Sequence, residues 1–205
     1  MSRLRLCWSP TSPFVRKVMI MAHETGLAGD IELLPKNVWA PDTDIGTVNP
    51  LGKVPALLLE DGTVIFDSPV VLDHLDRLHG GPALIPADGA ARTRVLTVQA
   101  LADGVLDALV LRLLEGRRPE AERSATWVER QMRAANRGLD ALEDAVFGFG
   151  PALDVGQITV MALLGYLDFR FPADDWREGR AALAAWFEEA AKRPSFLATI
   201  PRDPV

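Results

Sequence analysis

The stretch Val54-Pro55-Ala56-Leu57-Leu58-Leu59-Glu60-Asp61-Gly62-Thr63-Val64-Ile65-Phe66-Asp67-Ser68-Pro69 decides the fold of this chain. A Val-Pro step ahead of a hairpin predicts a cis peptide, with the backbone groups of Val54 left to pair with an extended ligand. Residues 56–59 and 63–66 read as two strands joined across the Asp61-Gly62 turn. Asp67-Ser68-Pro69 then opens a helix whose inner stripe is Val71, Leu72, Leu75 and Leu78. Its N-terminus offers unpaired N–H groups and the positive end of the macrodipole, which attract a carboxylate. A strand edge beside such a helix end suits a small acidic peptide.

Working outward, residues 4–8 form a short strand, and Ser9-Pro10-Thr11-Ser12-Pro13 is a turn into a helix carrying Phe14, Val18, Met21 and Ala22 on one face. Pro13 suits the first helical position, so Ser12 is the expected N-cap. Gly26 stops the helix, residues 31–34 read as a second strand, and Asn49-Pro50-Leu51-Gly52 turns the chain before Val54. The order is βαβ followed by ββα.

Beyond the Gly/Pro cluster at 81–89 the chain is helical throughout. Residues 92–115 carry Val95, Leu96, Leu106, Leu109 and Leu113. Residues 120–146 carry Trp127, Val128, Gln131, Met132, Ala135, Leu139 and Leu142 at intervals of three or four. Residues 155–167 hold no charge and are too short to span a bilayer, so they read as a helix buried on all sides. Residues 181–192 form a last surface helix ending near Pro194. The expected domains are 1–80 and 90–205 with a linker at 81–89, both within the usual size range.

A net charge of −6 argues against nucleic-acid binding. No membrane span or signal peptide is expected, because Arg3 and Arg5 precede only a strand-length apolar run, and one cysteine makes no intrachain disulfide. The expected compartment is the cytoplasm. His23, His74 and His79 show no metal-ligand spacing, and no metal is expected. Cys7, within the first strand, reads as a small buried apolar residue.

Ser12-Pro13-Phe14-Val15-Arg16-Lys17, Asn49-Pro50-Leu51-Gly52-Lys53-Val54-Pro55 and Asp67-Ser68-Pro69, in that order, resemble the thioredoxin-fold domain of cytosolic glutathione S-transferases. Asp154-Val155-Gly156-Gln157-Ile158 resembles the capping segment of that family's buried sixth helix, and Gly165-Tyr166-Leu167-Asp168-Phe169-Arg170 resembles a bacterial subgroup. The resemblance implies an α/β N-terminal thioredoxin-like domain (βαβ-ββα) followed by an all-α helical-bundle domain. Two positions depart from the common pattern. Asp67 stands where most members have Glu, and Asp154 with Gln157 replaces a Ser or Thr followed by Asp. The second change keeps the capping logic, since Gln can reach back to the N-cap N–H.

The resemblance further implies a homodimeric detoxifying transferase that activates the thiol of its cosubstrate glutathione toward a small electrophile. A free thiol has a pKa near ~8.5 and needs a donor hydroxyl or a helix N-terminus to become a thiolate at neutral pH. Ser12 matches the catalytic serine of Ser-Pro-Phe members, Ser9 matches that of the maleylacetoacetate-isomerase type, and Thr11 stands ready to assist. Ser12 also has a purely capping role open to it. A cysteine at this position would permit a mixed disulfide, so Ser12 disfavours thiol-transferase chemistry.

By the same resemblance Val54, ahead of Pro55, pairs with the cysteinyl backbone, Ser68 holds the γ-glutamyl carboxylate and Asp67 faces its ammonium. Lys53 and Lys36 are candidates for the glycyl carboxylate, with Asn37 and Trp39 on the loop nearby. Phe14, Trp39, Asp107, Leu111 and Arg112 are candidate walls of an electrophile site between the 10–13 loop and the long helices. A noncatalytic ligand-binding or protein-docking module remains open, as does a glutathione-dependent isomerase or dehalogenase.

Overall fold

The computed structural model describes residues 4–203 and divides into two compact units, Met1–Ala87 with Lys192–Val205, and Asp88–Ala191. The break between 87 and 88 lies within residues 81–89, and the segment from Lys192 onward groups with unit 1 rather than with the helical unit.

Unit 1 runs β1 (Leu4–Trp8), α1 (Pro13–Glu24), β2 (Ile31–Pro35), α2 (Ile45–Val48), β3 (Ala56–Leu58), β4 (Val64–Ile65), α3 (Ser68–Leu75), and then, after unit 2, α8 (Pro194–Ala198). The sheet order is β2-β1-β3-β4, with β1 parallel to β2 and antiparallel to β3, and β3 antiparallel to β4. This mixed sheet with α1 and α3 packed together is the thioredoxin-like arrangement expected. The Val54-Pro55 peptide is cis.

Alternation sorts β1 into two faces: Leu4 and Leu6 are buried on one, and Cys7 joins Ile45 and Ala56 in a core cluster on the other. Helix α1 ends at Gly26, whose φ of +75° only glycine adopts without strain. It is buried nearly all round, so its expected apolar face understates the burial: Lys17 is 0% and Arg16 6% exposed. In α3 Val71, Leu72 and Leu75 are fully buried, but Leu78 lies beyond the helix and is exposed. The helix has closed by then, because the Asp76 carboxylate turns the chain by accepting from the N–H groups of Leu84 (2.7 Å) and Ile85 (3.0 Å).

Unit 2 runs α4 (Gly89–Arg117), α5 (Ala125–Ala145), α6 (Val155–Arg170) and α7 (Ala181–Ala190). Helix α4 packs on both α5 and α6. Every residue of α6 from Val155 to Leu167 is buried, as its charge-free sequence requires. Asp154 caps it by accepting from Gln157 N–H at 2.9 Å. The Gln157 amide takes a partner other than the expected N-cap N–H, donating to the Gly150 carbonyl at 3.0 Å and tying the cap to the preceding loop.

The last surface helix stops at Ala190, and Pro194, read as a terminator, instead opens α8. Proline is favourable at a first helical position because its missing N–H has no partner to lose there. No described helix is long and apolar enough to cross a membrane.

Candidate functional site

The loop between β1 and α1 is folded by its own hydroxyls. Ser12 N–H donates to the Ser9 carbonyl (3.3 Å), and Ser9 Oγ lies 3.4 Å from Thr11 Oγ1 in a hydroxyl pair. Ser12 is the N-cap of α1, accepting from Val15 N–H at 3.3 Å, with Pro13 at the first helical position. That bond occupies one lone pair and leaves the Ser12 O–H to donate elsewhere. Capping and thiol activation therefore do not compete for the same part of the hydroxyl. Ser9 and Ser12 both line a cavity of about 320 Å³ whose other walls come from α1, the end of β1, Leu33 of β2, and residues 198–202. Thr11 is half-buried beside it.

Val54 precedes β3 and packs, with Phe66, on the core cluster of Cys7, Ile45 and Ala56. This brings the segments that hold two groups of candidate residues, 54–55 and 67–68, around one patch of core. Pro55 is buried and Lys53 exposed. The turn before them hangs on Asn49, which sequence reasoning treated only as part of a turn. Asn49 is 1% exposed. Its amide donates to the Lys53 carbonyl (2.8 Å), its side-chain oxygen accepts from Leu51 N–H (3.0 Å), and its own carbonyl accepts from Gly52 N–H (2.8 Å). An Asn opening such a turn is the signal that could have found it, since its side chain folds onto backbone two residues on.

At the other segment, Asp67 is the N-cap residue of α3, yet its side chain makes no capping bond and is exposed. Its carboxylate is not consumed by the helix. Ser68, the first helical residue, is only 2% exposed.

Lys36 follows β2, where its N–H donates to the Trp8 carbonyl at 2.8 Å. Its Nζ reaches both oxygens of Asp44 at 2.7 and 2.8 Å, and that hydrogen bond lowers the Asp44 carboxyl below its usual range. Asn37 accepts from Trp39 N–H (3.1 Å), and the Trp39 side chain is exposed. Phe14 is half-buried, its ring 5.8 Å from Lys17 Nζ. Burial raises the Cys7 thiol above its ordinary value, so it is an inert core residue.

In unit 2, Asp107 and Leu111 are exposed, whereas Arg112 is engaged by its own unit. It ion-pairs with Asp174, donates to Met132 Sδ at 3.2 Å, and stacks its guanidinium 4.3 Å from the Phe171 ring centre. A structural anchor accounts for those contacts without an electrophile.

The sequence pattern of the glutathione S-transferase N-terminal domain matches residues 11–78, and that of the C-terminal domain matches residues 125–189. The chain is 37% identical to an uncharacterized GST-like protein, YibF, of Escherichia coli strain K12, over 97% of this chain and 98% of that one. It is similar to a glutathione transferase family member from Pseudomonas fluorescens Pf-5 solved with bound glutathione. There the TM-score is 0.94 and the identity 43%, over 98% of this chain and 100% of that one. A second structure from that organism, with bound S-(propanoic acid)-glutathione, matches at a TM-score of 0.90 and 44% identity, again over 98% and 100%.

Proposed function

The chain belongs to the cytosolic glutathione S-transferase superfamily, and from that premise we propose that it is a glutathione transferase acting on a small electrophile, with Ser12 stabilising the thiolate. The observation that carries this is the Ser12 hydroxyl, held at the N-terminus of α1 with a proton to donate and facing a cavity. A hydroxyl donating to sulfur and the positive end of α1 both favour the anion over the thiol. One charge-assisted hydrogen bond supplies roughly the ~1.4 kcal/mol that a one-unit shift in thiol pKa requires.

In this reading the peptide lies against the backbone of Val54, with Pro55 behind it. Ser68 N–H and hydroxyl take the γ-glutamyl carboxylate, Asp67 takes the ammonium, and Lys53 and Lys36 lie at the glycyl end. An exposed Asp67 outside the capping scheme supports its part. The thiolate attacks the electrophilic carbon and forms a C–S bond. Either a leaving group departs with the bonding pair or the adduct takes a proton from solvent. The Pseudomonas relative with S-(propanoic acid)-glutathione, a thioether of this kind, supports S-alkylation as the reaction class. The assembly in this reading is a homodimer, as the family resemblance implies.

The deciding experiment is ultraviolet titration of bound glutathione against pH, with Ser12→Ala alongside. A thiol pKa lowered by ~1 unit or more on the protein and restored in the variant supports the mechanism. An unshifted thiol, or a shift that survives Ser12→Ala, overturns it.

A further inference from the structure

We propose that the cavity closed by the returning C-terminal segment takes an electrophile bearing a carboxylate, and that Arg202 is its specificity-determining residue; this rests on the transferase reading above. The cavity opens beside Ser12. One side is α1 and the end of β1; the other is the segment 198–202. About 320 Å³ is the low end of ligand-pocket sizes and matches a single substituted ring rather than a large hydrophobe.

Its lining divides by chemistry. Trp8, Met19 and Ile200 supply apolar surface for the body of a ligand, while Arg16 and Arg202 bring guanidinium groups, and no Asp or Glu is among the residues that line it. In a chain of net charge −6, a cavity walled by two arginines without a carboxylate selects for anions.

The two arginines have different duties. Arg16 is buried, stacks its guanidinium 3.9 Å from the Phe196 ring centre and donates to the Phe196 carbonyl at 3.3 Å, so it fastens the wall. Arg202 is exposed at the far end of that wall, where its planar fork suits a two-pronged grip on a carboxylate. The segment is held ahead of Arg202 by the Glu24 carboxylate, which accepts from Arg193 and from the Ser195 hydroxyl. Arg202 therefore extends from an anchored base.

The test uses unreactive probes, so that binding is read without turnover. 3-Nitrobenzoate and its neutral near-isostere 3-nitrobenzamide are titrated calorimetrically into the full-length protein, with and without saturating glutathione. The benzoate binds roughly 10-fold more tightly than the amide, the scale of one hydrogen-bonded charge pair. Arg202→Gln brings the ratio of the two dissociation constants to about one, and Arg202→Lys restores part of it. Equal binding of the two probes to the unmodified protein, or a preference that survives Arg202→Gln, overturns the proposal. Failure of the transferase reading shows separately, as an absence of heat when glutathione itself is added, and the probe ratio is still read in the titration without it.

Discussion

Arg193 and Glu24, 169 residues apart in sequence, meet in a two-pronged ion pair, Nε to Oε1 at 2.9 Å and Nη2 to Oε2 at 2.6 Å. The Arg193 hydrogen bond is the main cause that holds the Glu24 carboxyl below its usual range, against the opposing effect of burial. A folded-state pKa below the unfolded value contributes stability that is present above the unfolded value, near ~4.3, and is lost as pH falls through the folded one. The stability difference between the protein and Glu24→Gln is therefore constant from neutral pH down to about 5 and shrinks below that. Urea denaturation at several pH values measures it; a difference that grows on acidification contradicts it.

Ser12 caps α1, and the proposed mechanism gives it a second role that substitution separates from the first. Ser12→Ala removes cap and hydroxyl, costing about 1 kcal/mol of stability, while Ser12→Gly costs only a few tenths because glycine is tolerated at an N-cap. Both lower turnover alike, by roughly 10-fold or more, with the glutathione dissociation constant nearly unchanged. Thermal melts and steady-state kinetics on the pair test this. Turnover that follows stability, with Gly close to the unmodified protein, reduces Ser12 to a cap.

Asp67→Ala gives the opposite pattern. The side chain is exposed and makes no capping bond, so stability changes by less than ~0.5 kcal/mol. Glutathione binding weakens by about 10-fold through the lost pairing with its ammonium. Calorimetric titration giving equal affinity shows that this carboxylate, one methylene shorter than the common Glu, does not reach.

Gly156 lies where α6 crosses α4. A β-carbon there would stand 2.8 Å from the Val95 carbonyl oxygen and 3.0 Å from the Val98 side chain. Backbone cannot yield as a side-chain tip does, so Gly156→Ala destabilises by roughly 1–3 kcal/mol despite the better helix propensity of alanine. Denaturant unfolding measures the loss.

Cys7 is fully buried, with its thiol pKa raised by burial. An aromatic disulfide reagent therefore labels it only at the rate of opening, and rapidly once urea unfolds the chain.

The local features of the fold were legible where the cause is local. Val54-Pro55, the Asp61-Gly62 turn, the Ser12 and Asp154 caps and the charge-free run of α6 each depend on residues within a turn of one another, and each occurs as expected. What escaped depends on partners far along the chain. Periodicity gives no sign that Arg16 is buried, because its partner Phe196 is 180 residues away. The Arg112 ion pair with Asp174 spans 62 residues, and no local pattern announces it. Leu78 continues the apolar stripe in sequence, but the Asp76 turn cuts that stripe short in the structure.

Because α8 belongs to the unit that begins with β1, that unit is interrupted in sequence by the whole of the helical one. A ribosome delivers the sheet, α1 and α3 first, then more than a hundred residues of unit 2, and only then Arg193 and Phe196. Glu24 thus waits for its partner until the whole of unit 2 has been made, and the wall beside Ser12 is built only after it. A nascent or truncated chain that stops within unit 2 carries every residue proposed to face glutathione, from Ser9 to Ser68, and still lacks that wall, so synthesis past unit 2 is itself a condition on the shape of the cavity.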